Sequence, residues 1–298
     1  MDRIASLLKS EISGNIRTCE PLARYTSFKI GGPADLFIEP VTTAELSAVI
    51  SLLKLQKIPF FILGNGTNLL IRDSGYRGAA IRLAGEFKKY FYEEGGVNSG
   101  SAVPLALLAR DACRRRLTNL EFGTGIPGTL GGALFMNAGA HGRSISDVLI
   151  DAVILDAEAV LHTYTSAQLG LSYRRSSIGR GSIVCAARLS LLPEEAGKIA
   201  DRRREYREFR TNRQPRLPNA GSVFKNPPGD AAGRLLEAAG LKGVRVGGAM
   251  IADKHANFIV NCGGASAGDV LALIEMAHNA VAKKFGVELE LEIKVLDD

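Results

Sequence analysis

Apolar residues recur along this chain at helical spacing in some stretches and at strand spacing in others, and the two patterns alternate through the first half. Near the start, Ile4, Leu7 and Leu8 share one helical face, which predicts a packing helix over 2–12. Gly31-Gly32-Pro33 forces a turn before a strand over 36–39. Thr42 and Glu45 form a capping-box pattern, followed by Leu46, Val49, Ile50 and Leu53 on one face. A buried strand over 58–63 completes a small α/β unit. Short strands are predicted over 79–83, 88–93 and 97–101, and Pro104 opens a helix through Leu105, Leu108 and Ala112. The β-rich runs 148–155 and 160–165 predict a hairpin, and another strand covers 182–192.

After Pro193 a basic helix begins, and the domain boundary is placed there. Beyond it a strand is predicted over 222–225 and a helix over 231–239, with Asp230 as its cap and Gly240 as its stop. A strand over 258–261 precedes a long amphipathic helix over 266–285 with Val270, Leu273, Ile274, Ala277 and Val281 inward. The stretch 287–296 alternates strictly, with Glu288, Glu290, Glu292 and Lys294 on one face. Periodicity nominates none of those glutamates.

At 298 residues, 46% hydrophobic and 23% charged, the chain suits two soluble globular domains. No run is long enough to cross a bilayer and the start lacks an apolar signal core, so a cytoplasmic protein is expected, with no membrane partner. Cys19, Cys113, Cys185 and Cys262 are scattered and form no metal-ligand pattern, so they are read as reduced structural thiols and no metal is expected. The net charge of +6 favours an anionic partner. Much of it lies in 202–216, where Tyr206 and Phe209 sit among arginines and offer a nucleic-acid reading. The same stretch reads equally as a solvated helix in which Asp201, Glu205 and Glu208 pair locally with the bases. With no long basic tract and no nucleic-acid motif, a small anionic ligand is preferred.

The candidate chemistry centres on 123–142, GTGIPGTLGGALFMNAGAHG, where glycine recurs among residues that must be buried. Glycine lets backbone approach a large ligand, and exposed peptide N–H groups suit a phosphate. Gly123, Gly125 and Gly128 match the spacing of a dinucleotide fingerprint, but no buried strand precedes them and a hairpin follows, so a Rossmann domain is not adopted. Gly64-Asn65-Gly66-Thr67-Asn68-Leu69 follows a predicted strand and is read as either a plain hairpin turn or a diphosphate-binding loop. Two such loops can grip opposite sides of one cofactor.

The motifs YTSFKIGGPADLF, LGNGTNLLI, GIPGTLGGALFMNAGAHG, SYRRSSI, RQPRLPNAGSVFKNP and LEIKVL, in this order, make the chain resemble the UDP-N-acetylenolpyruvoylglucosamine reductase family over about 25–296. The absence of a long insertion after SYRRSS makes it similar to the shorter subgroup that lacks a tyrosine loop. The resemblance implies an α+β fold: an FAD-binding region of the PCMH type, vanillyl-alcohol oxidase-like, with two α/β lobes (about 1–80 and 81–195). A smaller α+β substrate-binding domain (196–298) follows. It implies non-covalent FAD held by Gly64, Asn65, Gly66, Thr67, Asn68 and Leu69 and by Ile126, Pro127, Gly128, Gly131, Gly132, Asn137, Ala138, Gly139 and Ala140. It also implies NADPH as hydride donor and a UDP-sugar as substrate; the protein is expected to be a monomer.

Arg174, Ser222 and Glu292 match the family's catalytic positions. On that resemblance, flavin N5 delivers hydride to the enolpyruvyl group while Arg174 polarises the carboxylate. Ser222 then protonates the neighbouring carbon, and Glu292 acts as a protonated acid or by positioning Arg174. Asn226 matches a substrate position; Tyr206, Arg210 and Arg213, on one helical face, and His255 and Asn257 are further substrate candidates. His141 is read as a loop residue. The terminal motif has Glu-Ile-Lys where Glu-Val-Arg is usual, which makes Glu292 the least secure of the three. Two other readings are carried: a flavin-dependent alcohol oxidase on the same scaffold, and a nucleic-acid-binding module.

Overall fold

The computed structural model of the chain describes residues 1–179 and 181–296. The backbone forms two compact units, each assembled from separate stretches. Unit 1 contains Met1–Cys19, Asp35–Asn65 and Gly78–Phe209; unit 2 contains Glu20–Ala34, Gly66–Arg77 and the chain from Arg210 onward. These units differ from the continuous division expected at residue 195. Phe28, Ile30 and Leu70, early in the chain, are buried in the core that the chain from Ala220 onward builds, so contiguity along the chain does not define a unit here.

The helices among the described residues are α1 (Asp2–Glu11), α2 (Thr43–Leu55), α3 (Leu105–Arg114), α4 (Leu130–Phe135), α5 (Ala196–Arg213), α6 (Ala232–Ala238) and α7 (Ala267–Phe285). In unit 1 a four-stranded sheet runs in the order Asn15–Pro21, Pro33–Glu39, Tyr76–Ile81, Phe60–Ile62. Tyr76–Ile81 inserts between the strands that flank α2 and pairs in parallel with Phe60–Ile62, Ala79 opposite Phe60. Residues 34–38 are all buried, which is why this strand shows no alternation. Leu36, Ile38, Leu46, Val49, Ile50 and Leu53 fill the core between sheet and α2.

The capping box of α2 is only half made. Thr42 accepts the Glu45 N–H at 3.2 Å, but the Glu45 carboxylate takes the Val41 N–H at 2.8 Å and the Ser13 hydroxyl at 2.6 Å in place of the Thr42 N–H. Burial raises the Glu45 pKa, and the hydrogen bonds from Ser13 and Val41 more than offset this, leaving the carboxyl below its ordinary range.

The second sheet of unit 1 is antiparallel throughout, in the order Leu161–Thr165, Leu149–Leu155, Ile183–Ser190, Gly96–Gly100, Tyr90–Glu93. The expected hairpin is its outer pair, with Val153 opposite Thr163. Leu105, Leu108, Leu130, Leu134 and Leu189 share the second core. Unit 1 thus holds two separate cores. Of the four free cysteines only Cys185 is buried; Cys19 and Cys262 are exposed, so the reading of all four as structural thiols does not extend to those two.

Unit 2 packs α6 and α7 on a three-stranded sheet ordered Arg245–Val246, Ala249–Ile251, Ile259–Asn261. Ser266 and Asp269 complete a full capping box on α7, whose buried face carries Val270, Leu273, Ile274, Ala277 and Val281 as expected. The predicted strand over 287–296 is divided between two partners. Lys294–Leu296 pairs in parallel with Leu69–Ile71, whereas Leu291 makes a single antiparallel bridge to Phe224. The predicted strand over 222–225 is accordingly reduced to that bridge. Asp230 is not the cap of α6: it bonds the Ala231 N–H and pairs with Arg234, while Asn226 Oδ1 takes the Ala232 N–H at 3.1 Å.

Candidate active site

In unit 1 the start of the first glycine-rich segment, Gly64 and Asn65, meets the second. Asn65 Nδ2 donates to the Pro127 carbonyl at 2.7 Å, and a Cβ placed on Gly64 would lie 2.8 Å from Thr129 Oγ1. Thr129 in turn caps α4 by accepting the Gly132 N–H at 3.3 Å. Among the described residues, none of the backbone N–H groups of Asn65, Gly66, Thr67 and Asn68 donates a hydrogen bond within the chain. Four consecutive uncommitted donors suit an oxygen-rich anion such as a diphosphate. Half-buried Ile126 and Ala138 flank small or glycine positions that give a flat ring system room to lie against backbone. These residues fit FAD.

Two of the glycines assigned to the cofactor also have a packing reason within the chain. A Cβ on Gly131 would lie 2.9 Å from Ser101 Cβ, and one on Gly139 would lie 2.3 Å from the Arg143 carbonyl oxygen. Gly131 is therefore required by helix packing, and Gly139 by the tight pairing of Gly139–Ala140 with Arg143–Ser144.

Arg174 sits in the same unit, at the third position of a tight turn closed by Ser172 and Arg175, whose N–H and carbonyl groups bond reciprocally at 3.0 and 3.1 Å. Its φ is 54°. Glycine is the usual occupant of that left-handed position, so an arginine held there is a strained backbone of the kind found at functional sites. Its guanidinium donates from Nη2 to the Gly139 carbonyl at 3.1 Å and lies 5.1 Å from the Tyr173 ring centroid.

Ser222 and Glu292 come together in unit 2. The Glu292 N–H bonds the Val223 carbonyl at 2.8 Å and the Lys225 N–H bonds the Glu290 carbonyl at 2.8 Å, which sets Glu292 beside the residue that follows Ser222. Asn68 Nδ2 donates to the Glu292 carbonyl at 3.1 Å. Thus the glycine loop's last asparagine fixes the backbone of a candidate catalytic residue. Glu288, Glu290 and Lys294 are exposed, whereas Glu292 is half-buried, a distinction that alternation could not make. Gly221, at φ 81°, and the Asn219 side chain, which accepts the Gly221 N–H at 2.9 Å, turn the chain into Ser222. Among the described residues, nothing in the chain hydrogen-bonds the half-buried Ser222 hydroxyl.

The substrate candidates separate by what their side chains already do. Asn257 is buried and its amide is committed: it accepts the Phe224 N–H at 2.9 Å and donates to the Phe224 carbonyl at 2.8 Å. His255 accepts the Asn257 N–H at Nδ1, and burial, helped by Lys242, pushes its imidazole pKa down toward the neutral form. Both support the Ser222 segment from beneath. Asn226 is exposed, with its carbonyl oxygen on α6 as described. Tyr206 stacks face to face on His141, centroids 3.8 Å apart, with Phe209 edge-on to the same imidazole. Arg210, in unit 2, is half-buried, which lowers its pKa.

Sequence reasoning missed α4 and its cap Thr129. The signal was present, a threonine two residues before a glycine pair, but glycine inside a helix argues against one. Three arginines of α5 are already engaged within the chain. Arg202 binds the buried Glu121 at 2.6 Å and also pairs with Glu194, Arg203 donates to Thr124, and Arg204 pairs with Asp201.

Glycine segments that meet at Asn65 and Pro127, in a unit built of two sheets with packed helices, fit the class of flavin-binding oxidoreductases. A sequence model described as an FAD binding domain matches residues 34–164, and one described as the C-terminal domain of UDP-N-acetylenolpyruvoylglucosamine reductase matches 214–296. The chain belongs to the UDP-N-acetylenolpyruvoylglucosamine reductase family. It is 43% identical over 296 residues to the UDP-N-acetylenolpyruvoylglucosamine reductase 2 of Symbiobacterium thermophilum, covering 99% of this chain and 96% of that relative. The solved reductase from Thermus caldophilus superimposes with a TM-score of 0.83 at 38% identity, over 96% of this chain and all of that one. A berberine-bridge-enzyme-like protein from Physcomitrella patens matches with a TM-score of 0.51 at 14% identity, over 63% of this chain and 44% of that one, a likeness of fold alone. The resemblance, the PCMH-type fold and the FAD cofactor are as expected, and the oxidase and nucleic-acid readings are not favoured.

Proposed function

We propose that this chain reduces UDP-N-acetylenolpyruvoylglucosamine to UDP-N-acetylmuramate, a step in supplying peptidoglycan precursors, in the cytoplasm and as a monomer, with NADPH as reductant. Bound FAD supplies the hydride at N5, and NADPH replenishes it. The acceptor is an electron-rich enol ether, so its terminal carbon accepts hydride only as negative charge spreads onto the adjacent carboxylate. Arg174 binds that carboxylate, because a guanidinium keeps its charge and forks onto two oxygens. The C=C π bond breaks as the terminal carbon gains hydride, and the electron pair left on the neighbouring carbon takes a proton from Ser222 Oγ. The serine then recovers a proton from solvent. Glu292 stabilises the charge that develops before that transfer, as an acid donating a hydrogen bond or by holding Arg174.

Tyr206, Arg210, Arg213 and Asn226 hold the nucleotide diphosphate. Asn257 and His255 serve the substrate indirectly, by supporting the backbone that carries Ser222. The observation that carries the reading is the backbone pairing of Glu292 with Val223 beneath the Asn68 clamp, since it joins a proton donor, a carboxyl and the cofactor loop by hydrogen bonds.

The test is spectroscopic. Purified protein should be yellow, NADPH should bleach it without oxygen, and the enolpyruvyl substrate should restore the colour. Ser222→Ala should still bleach but should slow substrate-driven recovery by about 10²- to 10⁴-fold. Protein that binds no FAD, or whose colour the enolpyruvyl substrate cannot restore, refutes the reaction; full turnover by the variant removes only Ser222 from it.

A further inference from the structure

We propose that Asn137 is a positioning residue for Arg174, an inference that rests on the catalytic reading of Arg174 above. Asn137 ends α4 in a left-handed closure. The Ala138 N–H reaches back to the Ala133 carbonyl at 2.7 Å, the Asn137 N–H to the Leu134 carbonyl at 3.1 Å, and φ of Asn137 is 40°. Glycine fills that position most often and asparagine tolerates it, so stopping the helix does not by itself call for an amide.

The amide has a separate task. Its Oδ1 accepts the Ser146 N–H at 3.0 Å, and its Nδ2 donates to the Ser172 carbonyl at 3.0 Å, inside a residue only 5% exposed. Ser172 opens the turn that holds Arg174 in its left-handed conformation. Two residues beyond Asn137, the Gly139 carbonyl accepts the Arg174 guanidinium. The segment 137–139 thus grips the turn at its first residue and the working side chain at its tip.

Family resemblance makes Asn137 a cofactor ligand instead. Its hydrogen-bonding capacity argues otherwise, because both ends of the amide are engaged on protein groups, with Nδ2 also 3.4 Å from Ser146 Oγ. A carboxylate there would set an acceptor against the Ser172 carbonyl, and glycine would leave that carbonyl with the Arg175 N–H alone.

Asn137→Gly isolates the amide, since glycine keeps the left-handed helix stop. The expected result is a fall in kcat of about tenfold to a hundredfold, the scale on which a small misplacement acts, with FAD binding within about twofold of the parent in a fluorescence titration of apoprotein. In an Arg174→Ala background the same change should cost nothing further, because the residue acts through Arg174. Asn137→Asp, which tolerates the same backbone, provides a second cycle with the same expectation should the glycine variant not fold. Unchanged turnover in the Asn137 variants overturns the inference. So does a loss that adds fully to that of Arg174→Ala, and so does a loss confined to FAD affinity, which would make Asn137 a cofactor contact. If Arg174→Ala itself turns over at the parent rate, the catalytic reading of Arg174 fails first and this inference fails with it.

Discussion

The Asn257 side chain brackets the backbone of Phe224, accepting its N–H at 2.9 Å and donating to its carbonyl at 2.8 Å. The Asn257 main-chain carbonyl also takes the Val223 N–H at 2.9 Å. A side-chain amide thus imitates a neighbouring strand beside the single bridge that the segment after Ser222 makes among the described residues. Asn257→Ala should leave two buried backbone groups of Phe224 unpaired, at a cost of about 2–4 kcal/mol. Urea denaturation measures this, and an unchanged midpoint would show that the segment is held by the Glu292 side alone.

Gly64 offers a test of the cofactor loop that does not depend on turnover. Adding a methyl group brings it 2.8 Å from Thr129 Oγ1, closer than van der Waals contact permits, while Thr129 Cβ stays 3.8 Å away. Gly64→Ala should raise the dissociation constant for FAD by about tenfold, the equivalent of 1.4 kcal/mol. Thr129→Ala in the same protein should recover part of the affinity, although it also removes the α4 cap, worth about 1 kcal/mol. Parent-like FAD binding by Gly64→Ala would mean that the loop adjusts freely, and no recovery in the double variant would shift the obstruction elsewhere.

Local patterns carried much of the architecture and little of the site's assembly. The Thr42 cap, the 148–165 hairpin and the inward face of α7 depend on neighbours in sequence, so spacing and capping chemistry reveal them. Glu292 is the opposite case. Alternation gave it the same standing as Glu288 and Glu290, because what distinguishes it is a clamp from Asn68, 224 residues away, and a change of pairing partner between Leu291 and Lys294. Only family resemblance singled it out beforehand. The discontinuous units were hidden for the same reason: nothing near Phe28 in sequence says that its core neighbours are Val223 and Leu273. Asn137, Asn68 and Asn257 illustrate a further gap, since an amide expected to meet a ligand and one that ties two backbones are identical as letters.

Arg202 is the point at which the basic helix is fastened to the chain ahead of the glycine stretch. Hydrogen bonding from Glu194 and then Glu121 raises its already high pKa further, and Glu121 is only 6% exposed. Arg202→Met should leave Glu121 buried with Thr118 as its remaining partner. Removing one member of a buried pair costs about 3–5 kcal/mol, and since Arg202 is a third exposed, about 2–3 kcal/mol is expected here. Glu194→Gln, at the wetter end of the network, should cost much less. Equal losses in the two variants would mean that the burial of Glu121 does not govern the network.

His255 makes the Phe224 bracket sensitive to acid. Burial comes first and Lys242 second in pushing its pKa below the ordinary 6.5; Glu237 and a backbone hydrogen bond oppose them, and Arg213 adds a smaller push downward. A base with a depressed folded pKa takes up its proton in the unfolded chain first. Stability is therefore present above 6.5 and is lost as pH falls from there toward the folded value. Protonation also takes away the Nδ1 lone pair that accepts the Asn257 N–H at 3.2 Å, so the loss should reach the residue that brackets Phe224. Denaturation midpoints compared at about pH 7.5 and about pH 5.5 should fall more in the parent than in His255→Gln, which carries no titrating group there. Other groups that titrate in this window contribute to both proteins and cancel in that comparison. An equal fall in the two would mean that His255 is protonated as readily folded as unfolded, and an NMR titration of its ring proton would then place its pKa at or above 6.5.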